Sequence, residues 1–181
     1  MSLENIHYLN LFLGTSSILL QILSVVTLLL LFFGPKRNAF LDFVNKHFLP
    51  IIFLISLSAS VFPLVYSEII NFPPCSLCWW QRVFMFPTVL MFGVALWDKD
   101  RKVVRYTLPL VCAGLFVSIY QNFFYYFSES SNLPCDASGV SCYQRLVSEF
   151  GGYISIPMMA LTAFFALLVL LSVAHFYGKE N

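Results

Sequence analysis

Long uncharged stretches alternate with short charged ones along this chain. Five of them carry no Asp, Glu, Lys or Arg: Leu11 to Phe33, Phe48 to Ser67, Val83 to Trp97, Tyr106 to Phe127 and Tyr153 to Tyr177. At about 1.5 Å of rise per residue, four are long enough as helices to cross a hydrocarbon core about 30 Å thick. The third is short. It reaches full length only if its helix starts near Cys78, which places Arg82 one turn inside the boundary, where its side chain can snorkel to the headgroups. Pro63, Pro87, Pro109 and Pro157 fall within these runs. Neighbouring membrane helices satisfy the carbonyls that a proline frees, so kinks are expected rather than breaks. The pattern predicts an all-α integral membrane protein with five spans. Residues 48–177 form a four-helix bundle, residues 1–47 hold an extra N-terminal transmembrane helix and its cytoplasmic connection, and residues 178–181 are a cytoplasmic tail. Repeats with a period of 20 to 50 residues are absent from the sequence.

Composition narrows the class further. Hydrophobic residues make up 59% of the 181 and charged residues 10%, against about 25% charged in ordinary soluble domains. A water-soluble globule is excluded. A net charge of +1 with 20 Phe and 9 Tyr leaves no basic face for nucleic acid and no polar excess to sustain disorder. Eight of the 10 Lys and Arg residues fall on one side of the predicted spans: Lys36, Arg37, Lys46, Lys99, Arg101, Lys102, Arg105 and Lys179. Positive charge is retained in cytoplasmic loops, so the N-terminus is expected outside and the C-terminus inside. The first run is expected to stay as a helix rather than be cleaved as a signal peptide. Its leading residues include Glu4 and no Lys or Arg, and Gly34-Pro35-Lys36-Arg37 reads as a stop-transfer flank.

Candidate chemistry lies in the cysteines. Cys75-Ser76-Leu77-Cys78 forms one pair, and Cys135 and Cys142 form a second. Two crossings separate the pairs, so they share a side, which the charge rule makes the oxidising one. A Cys-x-x-Cys opening a helix places thiols against the unpaired N–H groups of the first turn, which stabilise a thiolate. Cys78 is best placed for this, and Arg82 follows one turn later on the same face. Pro73 and Pro74 stiffen the approach. The second pair sits in a polar loop, Asn132 to Cys142, where a soluble partner's thiolate can reach it. Two other readings remain: a structural zinc site, for which the six-residue spacing of the second pair is unusual, and static disulfides.

Electrons leaving such a dithiol need an acceptor. The chain has no Rossmann glycine pattern, and His7, His47 and His175 are scattered. From the bilayer the accessible acceptor is a membrane quinone, with Arg82 placed to hydrogen-bond a quinone oxygen. Trp79, Gln81 and Gln121 are further candidates for that site. Trp79 and Trp80 also suit an interfacial belt completed by Trp97, Gln81 could support Arg82, and Gln121 and Asn122 could instead join helices. Cys112 is expected to be a small packing residue, and Glu68 to mark the outer boundary. Leu146 to Phe150 suggests a short interfacial helix.

Cys75-Ser76-Leu77-Cys78-Trp79-Trp80-Gln81-Arg82, followed by Phe84-Met85-Phe86-Pro87, resembles the membrane disulfide bond formation protein B family, in particular its C-x-x-C-W-Y-Q-R branch. The resemblance runs from about Phe48 to Tyr177. It implies a four-helix bundle in the bacterial cytoplasmic (inner) membrane that reoxidises a soluble thioredoxin-fold dithiol oxidase and passes two electrons to ubiquinone or menaquinone. By the same resemblance Cys78 is the quinone-proximal cysteine, Cys75 its exchange partner and Arg82 the quinone-contacting arginine. Cys135 is then the cysteine attacked by the soluble oxidase, and Cys142 links transiently to Cys75. Two features depart from the pattern: the Cys135 to Cys142 spacing is shorter, and the first helix has no counterpart. The alternatives are a vitamin K epoxide reductase-like enzyme, in which the active Cys-x-x-Cys would follow the loop pair instead of preceding it, and a non-catalytic membrane protein with structural cysteines.

Overall fold

The computed structural model describes residues 3–35, 38–72, 74–127 and 152–177. Within them the chain forms α1 (Leu3–Phe33), α2 (Ala39–Lys46), α3 (Phe48–Leu64), α4 (Ser76–Asp98), α5 (Val103–Phe127) and α6 (Ile156–Phe176). All are helices except for the joining segments, and five are long and apolar enough to span a bilayer. α3 passes at its end into a π-helical turn, Val65–Ile69.

Helices α3, α4, α5 and α6 close a ring in which each packs on its two neighbours. α6 is the most enclosed and also carries α1 and α2 on its outer side. Its apolar surface continues around the whole helix, as burial on several sides requires. The seam along α5 carries many small and polar residues. In α5 the buried positions recur every three or four residues through Thr107, Val111, Gly114, Ser118, Gln121 and Tyr125. Bulky apolar residues such as Leu90, Val94 and Phe116 face outward instead. That inversion suits a lipid surround, where association depends on close backbone approach rather than on expelling water. A core centred on Phe48, Ile52, Phe92, Phe164 and Leu171 fills the ring.

Several expectations are refined. α4 begins at Ser76, two residues before Cys78. Pro63, Pro87 and Pro109 are inside helices, but Pro157 occupies the first turn of α6. There its missing N–H costs nothing, so no kink is needed. The first connection holds a helix that was not anticipated, α2, capped by Asn38 through its side-chain oxygen and buried at Leu41 and Val44. Cys112 is exposed on the outside of α5 rather than packed.

α5 and α6 approach so closely that a Cβ at Gly114 would sit 2.1 Å from the Phe164 ring. That ring is itself in the core. Gly114→Ala should therefore destabilise the bundle by about 1–3 kcal/mol through overpacking, read as a lower midpoint of thermal unfolding in detergent. An unchanged midpoint would mean that the helices part without cost.

Candidate active site

The site is built from the first turn of α4. Cys75 has extended backbone, φ −72° and ψ 168°, and caps the helix, its Sγ accepting the Cys78 N–H at 3.4 Å. Capping satisfies one orphan donor and fixes the Cys75 sulfur beside its partner. The two Sγ atoms lie 2.9 Å apart as free thiols. Hydrogen bonding to Cys78, followed by burial, raises the pKa of the Cys75 thiol, so Cys75 keeps its proton.

α5 supplies the next contact. Gln121 Nε2 donates to Cys78 Sγ at 3.5 Å and to Cys75 Sγ at 3.6 Å. Its own Oε1 accepts from Gln81 Nε2 at 2.8 Å, and Gln81 also donates to Ser118 Oγ at 3.1 Å. The Ser118 hydroxyl in turn donates to the Gly114 carbonyl at 2.8 Å. Gln81 thus holds the Gln121 amide with its N–H groups toward the sulfurs.

Arg82 lies one turn beyond Cys78 and is buried, at 7% exposure. Its Nη2 donates to the Pro63 carbonyl at 2.9 Å, and its guanidinium carbon sits 5.1 Å from the centroid of the Trp79 ring. Arg82 therefore does not snorkel. A carbonyl at the end of α3 and an aromatic face hold the cation inside the bundle. Among the described residues Nε has no partner.

Cys78, Gln81 and Arg82 open onto a cavity of about 610 Å³, lined chiefly by apolar side chains of α1, α3, α4 and α6. That volume is ordinary for a small-molecule site. Cys75 and Gln121 stand behind this wall, at the sulfurs but not on the cavity. Trp79 does not line the cavity, and both it and Trp80 are more than half exposed. Asn122 joins helices, donating to the Pro157 carbonyl at 2.8 Å. Glu68 is exposed in the π-helical turn. Cys135, Cys142 and the stretch from Leu146 to Phe150 lie outside the described residues. The described ends that flank them meet near the cysteine end of the bundle, where the Tyr126 hydroxyl donates to the Tyr153 carbonyl at 2.6 Å. Sequence reasoning did not find the Pro63 carbonyl, which has no signature of its own. It also missed the α1 residues on the cavity, among them Leu13, Ser16, Leu20 and Leu23, because α1 carries apolar residues on every side.

The family model "Disulfide bond formation protein DsbB" matches residues 45–174. The chain belongs to that family. It is 37% identical to "Probable disulfide formation protein C 2" of Bacillus anthracis, over 76% of this chain and 97% of the relative. It is 38% identical to "Disulfide bond formation protein C" of Bacillus subtilis, over 64% and 83%. It is 33% identical to "Probable disulfide formation protein" of Chlamydia pneumoniae, over 72% and 93%. No solved structure matches it. This DsbB-family protein is thus a disulfide bond formation protein with multiple apolar helices fit to cross a membrane.

The amide relay carries a prediction. A hydrogen bond to a charged group contributes about 1.5 kcal/mol or more, so Gln121→Leu should slow alkylation of Cys78 by iodoacetamide at neutral pH about tenfold. Mass spectrometry of the labelled peptide reads the rate, and a rate equal to that of the unsubstituted protein would remove Gln121 from any role at the sulfurs.

Proposed function

We propose that this DsbB-family protein is a thiol oxidase of the bacterial cytoplasmic membrane, which reoxidises a soluble thioredoxin-fold dithiol oxidase and delivers the electrons to ubiquinone or menaquinone. One observation carries the reading: Cys78 and a buried, incompletely bonded Arg82 face the same apolar cavity among membrane-length helices. A buried guanidinium is costly to hold without acceptors, so an added acceptor beside it is favourable. A quinone oxygen is such an acceptor, and the donor set suits it. Bound there, a quinone supplies a two-electron, two-proton sink.

The residues of the chain do the rest. The partner's dithiol is oxidised as its thiolate attacks Cys135 and opens a Cys135–Cys142 disulfide, one S–S bond breaking as another forms. The partner's second thiol breaks the mixed disulfide and leaves the partner oxidised, Cys142 attacks Cys75 and opens a Cys75–Cys78 disulfide, and Cys135 then breaks the Cys142–Cys75 bond, so that the Cys135–Cys142 disulfide is restored and both electrons rest on the Cys75 and Cys78 thiols. With Sγ atoms 2.9 Å apart, the two thiols need little movement to close their own S–S bond as they release two electrons and two protons. Gln121 supports negative charge at the sulfurs, and Arg82 holds its cation beside Cys78. The Lys and Arg distribution supports a position for these cysteines opposite the cytoplasm.

The test uses purified full-length protein, a reduced thioredoxin-fold dithiol and either ubiquinone or menaquinone. Quinol should form with one equivalent of partner disulfide, and Cys75→Ser or Cys78→Ser should lower the rate at least about a thousandfold, as loss of a reacting group does. Quinol formation by Cys78→Ser at the original rate would overturn the proposal.

A further inference from the structure

The family match begins at residue 45, after α1, so α1 stands as an addition to the four-helix ring. It is also a wall of the cavity. Leu13, Ser16, Leu20 and Leu23 line it, recurring every three or four residues down one face. α1 packs chiefly on α6, meets the end of α3 near Phe62 and Tyr66, and the cavity fills the interval below.

Polar links hold α1 there. The Tyr66 hydroxyl donates to Asn10 Oδ1 near the cysteine end. Further in, Gln21 Nε2 donates to Thr162 Oγ1 at 2.7 Å, and Gln21 Oε1 accepts from the Tyr153 hydroxyl at 3.1 Å. With Asn10 level with Tyr66 and the two helices running oppositely, Leu23 of α1 and Leu54 of α3 reach similar depths. Both line the cavity. Its wall on α3 extends from Ser67 to Leu54, about 20 Å at helical rise. Its polar groups from α4, Cys78, Gln81 and Arg82, belong to the cysteine end alone. A small ring at Cys78 and Arg82 has no use for so much apolar wall below it; an acyclic hydrocarbon chain attached to that ring does.

We propose that α1 is a specificity element: Leu13, Leu20 and Leu23 hold the polyprenyl tail of a membrane quinone, and the protein thereby prefers tailed quinones to tail-less ones. This rests on the quinone reading above. The helix neither touches the sulfurs nor enters the exchange. It selects by burying tail surface that an open four-helix groove would leave to lipid.

The experiment compares two substrates on the full-length protein: a ubiquinone bearing two prenyl units and the same ring without a tail. The unsubstituted protein should show a KM at least about tenfold lower for the tailed compound, and Leu20→Trp, which fills the cavity from α1, should abolish that advantage. KM for the tail-less ring should change less than about twofold. Ile22→Trp, on the exposed face of α1, should alter neither. A binding readout runs beside the kinetics. A tailed quinone carrying a photoreactive group at the tail end should label the α1 peptide in the unsubstituted protein, and this decides the matter even if Leu20→Trp fails to fold. Equal KM values for the two quinones, or labelling confined to other helices, would overturn the role of α1 and leave the quinone reading intact. Reduction of neither quinone by the unsubstituted protein would overturn both.

Discussion

A guanidinium inside an apolar bundle must be answered by polar groups, because the cost of removing it from water is several kcal/mol unless it is bonded. Arg82 is answered only in part. Pro63 offers its carbonyl and Trp79 its ring, but among the described residues Nε is left over. Everything around the site follows from accommodating that cation next to two thiols. α3 has to end near it to present the Pro63 carbonyl. α4 has to begin with a cysteine cap so that Cys78 comes one turn earlier on the same wall.

The sulfurs place a second demand on the same end of the bundle. A buried thiol and a half-buried one that exchange a proton or carry a charge need donors, and α5 provides one in Gln121, aimed by Gln81 and braced by Ser118. This explains why the seam between α4 and α5 is polar near the cysteines, while the core further down is made of Phe and Leu. Gln121 bonds to Cys78 without lining the cavity. Cys78 is therefore supported from behind and open in front, which is the arrangement a relay between protein thiols and a lipid-borne acceptor requires.

Much of this was legible in the chain itself. Membrane helices announce themselves by long uncharged runs, and Phe48, Tyr106 and Tyr153 each mark a boundary to within a few residues. The pairing of Cys78 with Arg82 on one wall was visible from their i, i+4 spacing. What was not visible depends on tertiary detail. α2 is only eight residues long, too short for a hydropathy signal. Arg82 was expected at the headgroups because sequence cannot show a carbonyl turned inward by the end of α3. Gln121 could have faced a ligand or another helix, and only the meeting of α4 and α5 directs it to sulfur. The cavity wall on α1 was hidden for a different reason: a single-pass apolar helix appears the same in sequence whether it faces lipid or a pocket.

The central claim is that Cys78 communicates with the bilayer through the cavity. Its most direct measurement is site-resolved alkylation of the Cys75→Ser protein in lipid vesicles by a maleimide on an alkyl chain, with and without added quinone. Cys112, exposed on the outside of α5, is the internal reference. Quinone should slow labelling of Cys78 severalfold and leave Cys112 unchanged. Equal labelling of Cys78 with and without quinone would contradict the account.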